Sequence, residues 1–167
     1  MTSAPDAGSG PLTDGAELLA RAEELSAELA ADGVQGVALC YVDTAGIVRV
    51  KGVPVAGLAS AAQRGVGMSP VFDLFLADDS ILTTDLQGGP DGDLRLYPDL
   101  SRVVRLAGMP GWAWAPVDRR RQDGEPHPNC SRAFLTRMVE RAAAAGITVQ
   151  AAVEIEWAVG RDDAPPG

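Results

Sequence analysis

The chain has 167 residues, of which 46% are hydrophobic and 22% are charged, and its formal net charge is −9 at pH 7. This composition is typical of a soluble globular domain of ordinary size, and no apolar run reaches the roughly 20 residues that a membrane-spanning helix needs. The negative charge argues against a nucleic-acid partner, because nonspecific binding to phosphates depends on clustered Lys and Arg.

The two ends of the chain differ in composition from its middle. Residues 1–12 and 161–167 are rich in Gly, Pro and Ala without hydrophobic periodicity, so we predict that both are disordered. The start also lacks the basic residues and the apolar stretch of a signal peptide. We therefore expect a cytoplasmic protein.

The first ordered elements are predicted to be a helix and a β-hairpin. Asp14 and Glu17 have the spacing of a capping box, and apolar residues then recur at helical spacing as far as Gly33. Residues 37–42 and 47–53 are apolar runs on either side of an Asp-Thr-Ala-Gly turn, which indicates a hairpin.

A short helix and several strands are predicted next. The Ala-rich residues 54–62 favour a helix, and a hairpin followed by a helix is the way in which a β-grasp sheet begins. Residues 65–75 combine Gly and Pro with large apolar side chains and predict a packed irregular loop. Strand-like runs bounded by Gly, Pro or Asp follow at 81–86, 94–97, 102–106 and 112–117.

The last two predicted elements are a helix and a strand. Ser131 has the position of a helix N-cap, apolar residues then share one helical face, and Gly146 ends the pattern. Residues 148–159 are predicted to form a strand, in which Glu154 and Glu156 would point to the same face.

Several conspicuous side chains have ordinary structural interpretations. Cys40 lies in an apolar run and is expected in the core, while the basic residues 119–121 suggest a solvated turn more than a phosphate site. His127 is flanked by Pro on both sides and is predicted to lie in an exposed turn. Trp112 and Trp114 are expected in the core or on a subunit face.

The pair of glutamates is the pattern with the most chemical content. Residues two apart on a strand lie roughly 6–7 Å apart, so both carboxylates could hold hard divalent cations such as Mg²⁺ or Mn²⁺. Alternating charge is also common on the solvent face of a strand, so the spacing alone leaves both interpretations open.

Four collinear motifs resemble the glutamine synthetase family over residues 35–159. YVDTAGIVRVKGVP (41–54) is similar to the family's strand-turn-strand pattern, and RGVGMSP (64–70) stands where the family has a glycine-containing loop. DLRLYPDLSRVVRL (93–106) is similar to its Leu-x-Pro-Asp segment, and residues 123–157 match its turn, helix and metal-binding strand. The order and spacing of the motifs carry the resemblance.

The resemblance implies an α+β fold made of two parts. Residues 13–130 would be the family's β-grasp N-terminal domain, and residues 131–160 would be the first helix and strand of its catalytic domain. Because the family's members continue for some hundreds of residues beyond this strand, we expect the chain to carry only part of an active site.

The resemblance also implies an activity, the ATP-dependent joining of glutamate to ammonia or an amine through a γ-glutamyl phosphate. Glu154 and Glu156 would be ligands of Mg²⁺ or Mn²⁺ ions beneath the nucleotide phosphates, with Glu156 nearer the amino-acid substrate and Glu154 nearer ATP. Like subunits would be partners in a ring-forming homo-oligomer.

Ser69 marks a departure from the family's pattern. Ammonia-using members have at this position an Asp that holds the ammonium ion, and a serine hydroxyl supplies neither the charge nor the basicity. Either the substrate is a larger amine, or Asp73 substitutes, or the loop has drifted. We favour the larger amine, because residues 65–73 (GVGMSPVFD) resemble the family members that build γ-glutamyl amides of polyamines or ethanolamine more closely than the ammonia users. Ser69 could also merely shape a turn.

Three hypotheses for the whole chain remain open. It is part of a glutamine-synthetase-like ligase that is inactive alone, a free-standing β-grasp module that joins subunits, or a decayed remnant without function. The first agrees best with the collinear motifs.

Overall fold

The computed structural model describes residues 15–83 and 92–160. The chain divides into two compact units, Met1–Leu135 and Thr136–Gly167. The predicted disorder at both termini and the capping role of Asp14 lie outside the described residues.

The described elements are mostly those that the sequence predicts, a mixture of helices and short strands. In chain order they are α1 (Gly15–Ala31), β1 (Gly36–Val42), β2 (Val48–Pro54), α2 (Leu58–Arg64), β3 (Val66–Met68), β4 (Leu94–Pro98), β5 (Val104–Arg105), β6 (Trp112–Arg120) and α3 (Ser131–Ala144). Single 3₁₀ turns lie at Val55–Gly57, Pro70–Asp73 and Leu100–Arg102.

One mixed sheet organises the first unit, with the strand order β2-β1-β6-β4-β3 and with β5 added beside β6. β1 and β6 run parallel, with Gly36 opposite Trp112 and Cys40 opposite Pro116. The other strand pairs are antiparallel. β6, the last of these strands in the chain, therefore lies in the middle of the sheet.

The core lies between one face of this sheet and the helices α1 and α2. Alternate residues of the two parallel strands are fully buried on this face, as strand geometry requires; they are Val37, Leu39, Ala113, Ala115 and Val117. The helices contribute Ala22, Leu25, Leu29, Leu58, Ala61 and Ala62. Full burial of one such Leu or Val side chain contributes about 1.5–3 kcal/mol.

The opposite face of the sheet is less covered. Cys40 is buried, as predicted, whereas Trp112 is 38% exposed. Because Trp112 pairs with Gly36 and the next pair, Val37 with Ala113, belongs to the core, the indole points away from the helices. Of the two predicted positions for Trp112, the core is therefore excluded, and the subunit face stays a prediction.

The segment predicted as an irregular loop contains regular structure. Val66–Met68 forms β3, which pairs with β4 through Val66 opposite Leu96. The strand predicted at 81–86 is reduced to a single bridge between Ile81 and Phe75 in its described part, and residues 84–86 lie outside the described residues. The pairing of β3 with β4, which local sequence does not reveal, accounts for the first difference.

The second unit contains most of α3 and an irregular stretch. The predicted helix is confirmed, and Gly146 follows it with a φ of +73°. The predicted strand at 148–159 is not formed, because residues 147–160 have no regular structure in the described part of the chain. A strand is stable only where a neighbouring strand accepts and donates its backbone hydrogen bonds, and none of the described strands does so here.

Gly65 joins α2 to β3 and is packed closely against residues of β4. It has φ +68° and ψ 165°, and a Cβ there would lie 2.9 Å from the Cβ of Arg95 and 3.0 Å from the ring of Tyr97. We expect Gly65→Ala to lower the free energy of unfolding by about 2–4 kcal/mol through backbone strain and overpacking. Urea denaturation measures the change, and Gly108→Ala, where nothing lies within 4 Å, is the matched control.

Candidate functional site

Ser69 lies directly after β3, at the start of a 3₁₀ turn. Its side-chain oxygen accepts a hydrogen bond from the backbone N–H of Val71 at 3.3 Å, and Pro70 occupies the first position of the turn. Ser69 therefore caps the turn, which agrees with the prediction that it shapes the local backbone. The segment that follows, residues 69–75, is called the Ser69 loop below.

Asp73, in the same loop, is not available to hold a substrate cation in this structure. Its carboxylate is fully buried, and Nη1 of Arg119 donates to both of its oxygens, at 2.6 and 2.7 Å. Nη2 of the same guanidinium donates to the backbone carbonyl of Asn129. The charge of Asp73 is thus already balanced, and the hypothesis that it replaces the missing Asp at Ser69 is not supported.

The position of Arg119 corrects the prediction of a solvated basic turn. β6 extends as far as Arg120, so Arg119 continues the inward series that includes Val117 and is only 2% exposed. Its guanidinium carbon lies 4.6 Å from the centre of the Tyr41 ring. The alternation of inward residues from Ala113 onward predicts that Arg119 points inward, but a positive charge is normally expected at the surface.

His127 is also buried, contrary to the prediction of an exposed turn. The turn folds back on β6, where the backbone N–H of His127 donates to the carbonyl of Arg119 at 2.9 Å. Its Nδ1 lies 3.9 Å from Oδ2 of Asp73. Burial and, secondarily, the positive charge of Arg119 lower the pKa of His127 below its ordinary value.

The Asp of the first hairpin turn is confirmed as the residue that organises the reversal. Oδ1 of Asp43 accepts hydrogen bonds from the backbone N–H groups of Ala45 and Ile47, at 3.0 and 2.9 Å. Gly46 has a φ of +83°, which a residue with a side chain rarely adopts. The carboxylate of Asp43 is fully buried, and its second oxygen accepts from Nε of Arg49 at 2.7 Å.

Arg49 connects the hairpin with the Ser69 loop. Its guanidinium carbon lies 5.0 Å from the ring centre of Phe72 and 5.4 Å from that of Phe75. The hydroxyl of Thr44 also donates to the backbone carbonyl of Asp73 at 2.8 Å. The loop is therefore held by the first hairpin on one side and by Arg119 of β6 on the other.

A cavity of about 340 Å³ adjoins this arrangement. It is lined mainly by apolar side chains of the loop and its continuation, with two residues of the hairpin turn; the lining residues are Thr44, Ala45, Asp73, Leu74, Phe75, Leu76, Ala77, Leu82 and Asn129. Such a lining accepts aliphatic groups more readily than small ions.

Glu154 and Glu156 lie in the exposed irregular stretch of the second unit, and Ser69 lies in the first unit. Among residues 15–83 and 92–160, no three His, Cys, Asp or Glu side chains come together as a group that could hold a metal ion. The two glutamates alone do not make a complete coordination shell for a divalent ion, so the described residues do not form a full metal site.

Comparisons with known proteins agree with the family resemblance. The chain is 67% identical over 145 residues to gamma-glutamylpolyamine synthetase GlnA3 of Streptomyces coelicolor (strain ATCC BAA-471 / A3(2) / M145), covering 86% of this chain and 31% of the relative. It is 27% identical to gamma-glutamylanilide synthase of Acinetobacter sp, covering 81% of this chain and 30% of the relative. The chain thus spans about a third of the length of these relatives.

Solved structures give the same picture. A crystal structure of a novel glutamine synthase homologue matches with a TM-score of 0.60 and 31% identity over 67% of this chain and 27% of that chain. A complex of GmaS with ADP shares the fold, with a TM-score of 0.60 and 24% identity over 74% of this chain and 26% of that chain. No sequence model of a protein family matches the chain. These similarities support a member of the glutamine synthetase family.

In the part of the chain that the structure describes, no helix has the length and apolar character needed to cross a membrane.

The buried His127 predicts a pH dependence of stability. Because its pKa is lowered in the folded state, the unfolded state binds a proton first as the pH falls through the ordinary value of about 6.5. The contribution of the neutral, buried His127 to the free energy of unfolding should therefore be fully present above this pH and decrease below it. We expect the melting temperature to fall between pH 7.5 and pH 5.5 in the parent and to fall less in His127→Gln, as measured by circular dichroism. Equal slopes in both proteins would contradict the assignment.

Proposed function

We propose that the chain is the N-terminal part of an ATP-dependent ligase that joins glutamate to an amine through a γ-glutamyl phosphate. The observation that carries the proposal is the 67% identity to gamma-glutamylpolyamine synthetase GlnA3, which extends over 86% of this chain. The second relative is named for an anilide product, and an aniline is also an amine larger than ammonia. Glutamate, ATP and an amine are the proposed substrates of the full-length ligase.

The division into domains is part of this proposal. Residues 13–130 would form a β-grasp domain, and the parallel pairing of β1 with β6 after an N-terminal hairpin and a helix supports that topology. Residues 131–160 would begin the catalytic domain. In the full-length ligase, the stretch around Glu154 would gain the strand neighbour that it lacks among the described residues.

Ser69 supports an amine in preference to ammonium as the nucleophile. A neutral hydroxyl neither attracts a small cation as a carboxylate does nor removes a proton from it. With Asp73 engaged by Arg119, neither residue of the loop offers the charge that an ammonium site needs. An amine with an aliphatic body has apolar area as a second source of binding energy, and the neighbouring cavity has a lining of that kind.

Glu154 and Glu156 are proposed as part of the ligand set for Mg²⁺ or Mn²⁺. A divalent ion bound there would neutralise the charge that moves between phosphate oxygens during transfer to the carboxylate of glutamate. Both residues are exposed in the described structure. Their role therefore depends on further ligands of the full-length ligase, and the chain alone is expected to be inactive.

A module that joins subunits is the second candidate. It is favoured by the large apolar side chains that α3 leaves exposed, among them Phe134, Leu135 and Val139, at 55%, 61% and 45%. An assembly of like subunits would cover such surfaces. The cytoplasmic location and the ring-forming oligomer stay predictions.

The first test compares nucleophiles in the full-length ligase. We expect spermidine or ethanolamine to support faster phosphate release than ammonium, and Ser69→Asp to raise the use of ammonium. The reason is that a charge at contact distance in a half-buried site is worth on the order of a few kcal/mol. The measurement is the ratio of kcat/KM for ammonium to that for the better amine in both proteins. A parent that already prefers ammonium would show that Ser69 only shapes the turn.

The second test concerns the metal ligands. We expect Glu154→Ala and Glu156→Ala each to remove most of the phosphate release of the full-length ligase, because each leaves a divalent ion with too few oxygens. The control is Glu140→Ala, which removes an exposed carboxylate of α3. Rates within about threefold of the parent, a barrier change below about 1 kcal/mol, would contradict the assignment.

A further inference from the structure

The Ser69 loop is anchored by two arginines that come from different strands. Arg119 of β6 holds the carboxylate of Asp73, and Arg49 of β2 lies against the rings of Phe72 and Phe75. The loop contains a 3₁₀ turn, which the backbone N–H of Leu74 closes by donating to the carbonyl of Val71 at 2.9 Å. A displacement of Asp73 is therefore transmitted to Ser69 through a single turn.

The guanidinium of Arg119 is a specific anchor because it makes three kinds of contact at once. It donates to Asp73, donates to the carbonyl of Asn129 and stacks on Tyr41. A planar group with several fixed donors can do this, whereas a lysine ammonium is a point charge without a face for stacking. Arg119→Lys should therefore keep the charge and lose the geometry.

Because it is buried, the ion pair between Arg119 and Asp73 contributes more to the orientation of the loop than to the stability of the fold. The side chain of Asp73 is 0% exposed and that of Arg119 is 2% exposed, so both charges lose nearly all contact with water. In such a position the cost of desolvation offsets most of the attraction, and well-packed apolar side chains are often as stable. An ion pair here does, however, fix the loop in one orientation.

Resting on the proposed function, we propose that Arg119 is a positioning residue for amine recognition, which holds the Ser69 loop in place through Asp73. Arg49 has the same role on the other side of the loop. Neither arginine touches the substrate in this assignment. Their effect is on where the backbone around Ser69 lies, and misplacement of about 1 Å at such a site can cost roughly 100-fold in rate.

The first experiment uses the 167-residue chain itself. Amide hydrogen exchange of Leu74, whose N–H lies inside the loop, is compared in the parent, Arg119→Lys and Arg132→Lys. Arg132 is the matched control, because it pairs with Asp99 and Asp118, neither of which belongs to the loop. We expect exchange at Leu74 to rise about tenfold or more in Arg119→Lys and to change by less than about twofold in Arg132→Lys.

The second experiment uses the full-length ligase with the same three proteins. We expect the KM for spermidine to rise about tenfold in Arg119→Lys, while the KM for glutamate stays within about twofold of the parent. A general loss of structure would lower kcat for all substrates without separating the two KM values. Arg49→Lys, which keeps the charge opposite Asp43 and is expected to act in the same direction, replaces Arg119→Lys if the latter does not fold.

The outcomes separate this inference from the proposed function. Unchanged exchange at Leu74, or KM values for spermidine and glutamate that move together, would overturn the positioning role while leaving the amine ligase intact. A parent that prefers ammonium would overturn the proposed function and the amine part of this inference. Faster exchange at Leu74 together with a selective change in the KM for spermidine would establish the role.

Discussion

The ion pair between Asp73 and Arg119 is the constraint on which the arrangement of the first unit's loops depends. It ties the Ser69 loop to the central strand of the sheet, and the same guanidinium fixes the turn that contains Asn129. Because both charges are buried, removal of one partner would leave the other without compensation, at a cost of about 3–5 kcal/mol. The loop, the turn around His127 and the end of β6 therefore form one unit that is ordered together.

The buried polar groups around this ion pair are less completely hydrogen-bonded than those in the rest of the described interior. In the described part of the chain, the hydroxyl of Tyr41 and Nη2 of Arg49 are buried without a hydrogen-bond partner. Burial also raises the pKa of Tyr41 to about 12, so its proton stays in place at neutral pH. Each unsatisfied group costs about 1–3 kcal/mol, and a region that retains such costs beside buried charges is more typical of a functional site than of a core.

Sequence patterns were sufficient for the elements whose stability is local or follows a clear period. The helices, the hairpin around Asp43 and most strands follow from them. They failed where tertiary contacts decide: β3 needs β4, and the stretch with Glu154 and Glu156 needs a neighbour to become a strand. Arg119 and His127 were expected at the surface because charge and flanking prolines are usual there, whereas a buried partner reverses that preference. The roles of Ser69 and of both glutamates still depend on the family resemblance.

The place of β6 in the sheet also governs the order in which the protein can assemble during synthesis. Its parallel partner begins at Gly36 and β6 begins at Trp112, 76 positions later, and β6 also joins the β3–β4 pair to the rest. At roughly 5–20 residues per second, a ribosome needs roughly 4–15 s to make that interval. During this time β1 has one open edge, which is a template for wrong pairing with other nascent chains. A chain interrupted before Trp112 would thus leave two separate strand pairs and no common sheet.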